Sequence, residues 1–117
     1  MLSLIEETRE IFQRWELSAS EQLAVLGQSA DADFDRLSEL EDQNSTQLIA
    51  RCACLIALDR ALTVLYPSQP LANRWLSQPN THGFFNQQTP LDLLKTGELE
   101  SLRYISQLMT AWSAGNG

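Results

Sequence analysis

This chain has a single histidine, His82, two cysteines, Cys52 and Cys54, and no uninterrupted apolar run long enough to span a bilayer. Each shortage excludes a class of function. His82 stands beside Gly83 in a loop-like stretch, and no cysteine or serine is spaced to form a nucleophile and base with it, so covalent hydrolase chemistry has no visible machinery. Cys52 and Cys54 fall in a helical pattern, where a spacing of two turns side chains about 200° apart. That geometry suits neither a shared metal nor a disulfide, and both are read as small core or boundary residues. A membrane helix needs about 18 apolar residues in a row. The opening Met1-Leu2-Ser3-Leu4-Ile5-Glu6-Glu7 lacks the basic start of a secretion signal. No phosphate-binding loop, dinucleotide fingerprint or zinc ligand set is present. A cytoplasmic protein with no cofactor, no metal and no catalytic activity is expected, and one that works by binding.

What the chain does have is unevenly placed. Residues 1–42 hold eleven acids against Arg9, Arg14 and Arg36, a balance of −8, whereas the remainder holds five bases against four acids. Two regions with different surfaces result, 1–45 and 46–117. Most aromatic residues stand after position 65: Tyr66, Trp75, Phe84, Phe85, Tyr104 and Trp112. Tryptophan and tyrosine dominate interface hot spots. In a small helical domain they also fill the core, and core packing is the favoured reading of Trp75.

The periodicities are helical throughout, and no strand pattern emerges. Ser3 with Glu6 makes a capping box ahead of Leu4, Ile5, Thr8, Ile11, Phe12 and Trp15. Ser18 with Glu21 repeats the signal before Leu23, Val25 and Leu26, and Gly27 can take the left-handed closing conformation. A third helix is expected from Ser29 or Asp31 to Leu40 on the stripe Phe34, Leu37, Leu40. The longest helix runs from Thr46 to Tyr66 on Leu48, Ile49, Cys52, Leu55, Ile56 and Leu62, about 30 Å at 1.5 Å per residue, and stops at Pro67. Asp59 interrupts that stripe and is expected to pair locally with Arg60 or Arg51. Pro70 to Ser77 forms a short helix with Leu71, Trp75 and Leu76 inward. Thr89, Pro90 and Asp92 supply cap, first-turn proline and first-turn acid for the next helix, ended by Gly97. A final helix carries Leu99, Leu102, Ile105, Leu108 or Met109, and Trp112. The fold class is all-α, a compact bundle of six or seven helices with a long central one.

Three stretches taken together, Leu65-Tyr66-Pro67, then Ala72-Asn73-Arg74-Trp75-Leu76-Ser77-Gln78-Pro79-Asn80, then Thr89-Pro90-Leu91-Asp92-Leu93-Leu94-Lys95-Thr96-Gly97, resemble the C-terminal toxin-binding domain of the Xre/MbcA/ParS antitoxins. Trp-Leu, Pro-Asn, Pro-Leu-Asp-Leu-Leu and Gly stand in that family's order over residues 55–112. The resemblance implies a protein that binds a cognate toxin, commonly of the NAD-consuming RES class. It further implies steric inhibition, with the extreme C-terminus at the mouth of the toxin's active site. The matching positions are Trp75, Leu76, Pro79, Asn80, Pro90, Leu91, Leu94 and Gly97, several of which would maintain shape rather than touch the toxin. Phe84 and Phe85 are adjacent in a loop that cannot easily bury both, so one is expected to reach a partner or a second copy of the chain. The tail from Trp112 to Asn116 and Gly117 is small and polar after the tryptophan. It has two readings, a plug for a narrow pocket and a frayed end.

The second and third helices, joined by Leu26-Gly27-Gln28-Ser29, have the length and turn glycine of a helix-turn-helix, and the front resembles the same family's Xre-like N-terminal region. Gln28, Ser29 and Arg36 would be its DNA contacts. Yet residues 28–42 hold six acids and only Arg36 as base, the wrong balance for neutralising phosphates. A scaffold that only packs is favoured over operator binding by the isolated chain, and DNA is expected mainly as a partner of the toxin complex. The function expected is therefore that of an antitoxin in a type II toxin-antitoxin system, forming a homo-oligomer, with repression of its own operon as a further expectation. The alternative is a free-standing regulator or adaptor that keeps the fold without a toxin, and a stoichiometric small partner separates the two.

Overall fold

The structure is a computed structural model that describes residues 3–29, 36, 37, 39, 43, 45–80, 83 and 85–115. Among these residues the regular elements are six helices: α1 (Leu4–Arg14), α2 (Ala19–Val25), α3 (Thr46–Leu65), α4 (Gln69–Ser77), α5 (Pro90–Leu94) and α6 (Leu99–Ser113). The all-α expectation holds. Of the helix expected between Ser29 and Leu40, only Ser29, Arg36, Leu37 and Glu39 are described, and Leu37 is fully buried. The rest of that expectation lies outside the described residues.

Local chemistry sets the helix ends. Ser3 Oγ accepts the Glu6 amide at 3.1 Å and opens α1. At α2 the box is complete, since Ser18 Oγ accepts the Glu21 amide and Glu21 Oε1 accepts the Ser18 amide at 2.9 Å. Its far end is a Schellman closure: Gln28 N–H reaches back to Leu23 O at 2.9 Å and Gly27 N–H to Ala24 O at 3.0 Å, around a glycine at φ +73°. α3 stops where proline requires, with Tyr66 extended at φ −121° before Pro67. Thr89 Oγ1 accepts the Asp92 amide at 2.9 Å and opens α5 with Pro90 in its first turn.

Packing then assembles these pieces around α3. Its buried residues, Leu48, Cys52, Leu55, Ile56, Leu58, Ala61 and Leu62, point in several directions, because α1, α4 and α6 all lie against it. α6 answers with Leu102, Ile105, Ser106 and Met109 on one stripe. Arg51 near the start of α3 reaches Gly97, just before α6, and Val64 near its end shares a surface with Ser113, so the two helices run parallel. Ile5, Ile11, Phe12 and Trp15 from α1 and its cap join the same apolar cluster as Leu94 and Met109, so the front and back of the chain share one core. Two expectations are corrected. Leu71 is outside, 37% exposed, because Ala72 and Leu76 supply the inward stripe of α4. Asp59 pairs with Arg14 at 2.8 Å, forty-five residues away, and not with Arg60 or Arg51. An acid on an apolar stripe meets a packing helix, and here that helix brought the base.

The Glu21 carboxyl is held below the ordinary carboxylate range, first by the Ser18 amide it accepts. Burial opposes this, while the Ser18 hydroxyl and the Lys95 charge add to it. A depressed folded-state pKa gives stability that is complete above the unfolded value, about 4.5, and is lost as pH falls through the folded one. Glu21→Gln keeps the box geometry and removes the titration. Thermal melts between about pH 6 and about pH 3 should therefore fall less steeply for Glu21→Gln than for the native chain.

Candidate protein-binding site

The segment from Trp75 to Gly97 is built as a short helix, a pinned loop and a shorter helix. Asn80 N–H donates to Gln88 O and Gln87 N–H to Asn80 O, both at 3.0 Å, while Gln88 N–H donates to Phe85 O at 2.9 Å. These bonds hold Asn86 and Gln87 in the left-handed region, at φ +49° and +68°, where side chains other than glycine are uncommon. The strained turn drives Phe85 inward. Its ring is fully buried and meets Trp75 edge-on, with centroids 6.0 Å apart and planes at 90°. Such aromatic pairs contribute about 1 kcal/mol beyond area burial.

Phe85 is thus corrected from a partner-contact residue to the floor of the site. Its neighbour Phe84 and the loop's His82 lie outside the described residues. The other sequence-selected positions divide in two. Leu76, Pro90, Leu94 and Gly97 are buried and shape the backbone, whereas Trp75, Asn80 and Leu91 are half-buried and Pro79 is exposed. Trp112 is half-buried against the core near the end of α6, and Gly115 closes that helix at φ +83°. Asn116 and Gly117 lie outside the described residues. The structure therefore brings Trp75 and Phe85 together, leaves Leu91 half-buried against the core and buries Leu94 within it.

The front positions are placed differently. Gln28 is half-buried with its amide reaching Leu26 O at 3.4 Å, and Ser29 is exposed. Arg36 is drawn to Glu39 at 3.2 Å, so its charge is partly answered within its own segment. Among the described residues no group of three His, Cys, Asp or Glu side chains is placed to hold a metal, and no helix is long and apolar enough to cross a membrane.

Sequence reasoning missed the polar connections that fix α4 and the end of α5. Asn73 Nδ2 donates to Arg14 O at 2.9 Å and Gln69 Nε2 to Asn73 Oδ1 at 2.9 Å, so α4 hangs on the end of α1. Arg51 Nε donates to Gly97 O at 2.9 Å. The available signal was the three charged residues, Arg51, Asp59 and Arg60, standing on a mostly apolar helix.

Replacement of Phe85 by alanine empties a fully enclosed space beneath Trp75 and should lower stability by about 3 to 5 kcal/mol in urea unfolding. Trp75→Ala should cost less, because part of that ring is already in water. Equal losses, or the reverse order, would contradict the placement of Phe85 as the floor.

Residues 61–115 match the family model described as the antitoxin Xre/MbcA/ParS C-terminal toxin-binding domain. An uncharacterized protein of Sinorhizobium fredii, y4oB, is 24% identical over 111 residues, covering 95% of this chain and 84% of its own length. No solved structure matches. The matched span begins inside α3 and takes in α4, the pinned loop, α5 and α6, and so contains the Trp75–Phe85 ring pair. Over residues 61–115, a little under half of its length, the chain is similar to that antitoxin C-terminal domain.

Proposed function

We propose that this chain is the antitoxin of a type II toxin-antitoxin pair, and that it holds a RES-type, NAD-consuming toxin inactive by covering its active site. The observation that carries the reading is the toxin-binding family match over residues 61–115, with that family's motif positions supplying both a buried frame and a half-exposed rim. Trp75, Asn80, Leu91 and Trp112 are the contact residues proposed. Pro90, Leu94 and Gly97 act through the shape they impose. Binding, not catalysis, is the activity, and the protein works in the cytoplasm.

The proposed plug is the segment after α6. The helix runs to Ser113, whose Oγ bonds back to Thr110 O at 2.7 Å, and Ala114 caps it. The residues beyond this cap, Gly115, Asn116 and Gly117, are small or polar, so they enter a narrow opening with little steric hindrance. Operator binding is proposed for the assembled complex, as a homo-oligomer in which linked weak modules gain affinity by raised effective concentration. The −8 balance of residues 1–42 sets phosphate attraction against the isolated chain.

The test is co-expression with the protein encoded next to this chain's gene, scored by growth and by size-exclusion chromatography. The full chain should copurify with that protein in fixed ratio and protect the cell. Removal of residues 114–117 leaves the buried stripe of α6 untouched, so the truncated chain should still form the complex while protection falls at least tenfold in plating efficiency. Full protection by the truncated chain would remove the tail from the mechanism, and absence of any complex would remove the antitoxin reading.

A further inference from the structure

The acidic front and the toxin-binding back touch at two glycines. Gly27 closes α2 at φ +73° and Gly97 follows α5 at φ +71°. Both conformations favour glycine, but conformation alone does not explain how close they lie. A methyl group on Gly97 would stand 2.6 Å from Ala24 O and 2.7 Å from Gly27 Cα, and one on Gly27 would stand 3.2 Å from Gly97 O and 3.0 Å from Arg51 Nε. The obstructing atoms around Gly97 are backbone, so no rotamer change relieves the overlap. Two side chains fasten the contact. Arg51 Nε donates to Gly97 O at 2.9 Å while its Nη1 is held by Gln47 O and Oε1 at 3.1 and 3.0 Å. Lys95 Nζ lies 3.5 Å from Glu21 Oε2, and Glu21 is itself locked in the α2 capping box.

We infer that the Gly27–Gly97 contact, with Arg51 and the Lys95–Glu21 pair, is a clasp that makes the end of α5 and the turn after α2 open and close as one element. The clasp joins the turn that a helix-turn-helix would use to orient its second helix to the last residue of the toxin-family motif. Its regulatory consequence rests on the function proposed above. A partner seated on α5 stabilises the closed clasp and with it the turn at Gly27, and by linkage anything that binds the ordered front raises affinity for that partner by the same factor. Gly97 is then a coupling residue as well as a helix terminator. The mechanism requires no long-range pathway, because the two segments are in direct backbone contact.

Amide hydrogen exchange on the full chain alone tests this. Thr89→Ala removes the cap at the far end of α5 and touches neither glycine. Loss of a cap loosens a helix by roughly fivefold in its opening equilibrium. The clasp requires that acceleration to appear at the Gly97 amide and, to a similar degree, at Gly27 and Gln28, with Ile105 and Met109 in α6 unchanged. In the Arg51→Met background the effect of Thr89→Ala on Gly27 and Gln28 should disappear while the effect on Gly97 persists. Acceleration confined to residues 92–97 overturns the proposal, as does uniform acceleration that includes Ile105 and Met109. No toxin enters the experiment, so its failure is distinguishable from failure of the antitoxin reading.

Discussion

The burial of α3 on three sides is the constraint on which the rest of the molecule depends. Leu48, Cys52, Leu55, Ile56, Leu58, Ala61 and Leu62 cannot be covered by one neighbour, so α1, α4 and α6 are all drawn to it. Each fully buried leucine contributes about 2 kcal/mol through area removed from water. A single partner helix would leave half of that unrealised. The acidic front is consequently part of the core through Ile5, Ile11, Phe12 and Trp15, whatever else its surface does.

With α3 as the spine, the polar contacts gain their meaning as alignment devices. Arg14 reaches Asp59 on α3 and offers its carbonyl to Asn73 on α4, tying three helices at one end. Arg51 ties Gly97 at the other. Surface ion pairs of this kind contribute little individually, typically under about 1 kcal/mol. Their effect here is register. They decide where α4 and the turn after α5 sit relative to the spine, and hence how Trp75 is presented at the surface. The buried Phe85 completes that arrangement from below, since a tryptophan standing edge-on against a fixed ring presents its outer face in one orientation.

Much of this was legible in the chain. Ser3, Ser18 and Thr89 announced helix starts because a cap is a local hydrogen bond that needs only the next three residues. Pro67 and Gly27 announced stops for equally local reasons. The order of Trp75-Leu76, Pro79-Asn80, Pro90-Leu91 and Gly97 carried the family resemblance. The hidden features are those that depend on distant chain. The partner of Asp59 lies forty-five residues away, and a helical wheel offers only Arg60 and Arg51. Leu71 and Leu76 look alike in sequence, and the side of α4 that faces α3 separates them. Adjacent Phe84 and Phe85 gave no reason to choose, whereas the left-handed Asn86 and Gln87 after them turn Phe85 inward. The approach of Gly97 to Gly27 has no sequence signature beyond two glycines, because close backbone packing between segments seventy residues apart is a property of the assembled core.

The half of the chain that holds α3 to α6 owes its shape to a core completed by the front. Expression of residues 46–117 alone, with urea unfolding monitored through near-ultraviolet circular dichroism, tests that dependence most directly. Without Ile5, Phe12 and Trp15, one side of α3 stands open to water, and the fragment should be helical but loosely packed, with weak aromatic signal and no cooperative transition. A sharp transition at the midpoint of the full chain would contradict this, and would make residues 1–45 an appendage to an independently folded binding domain.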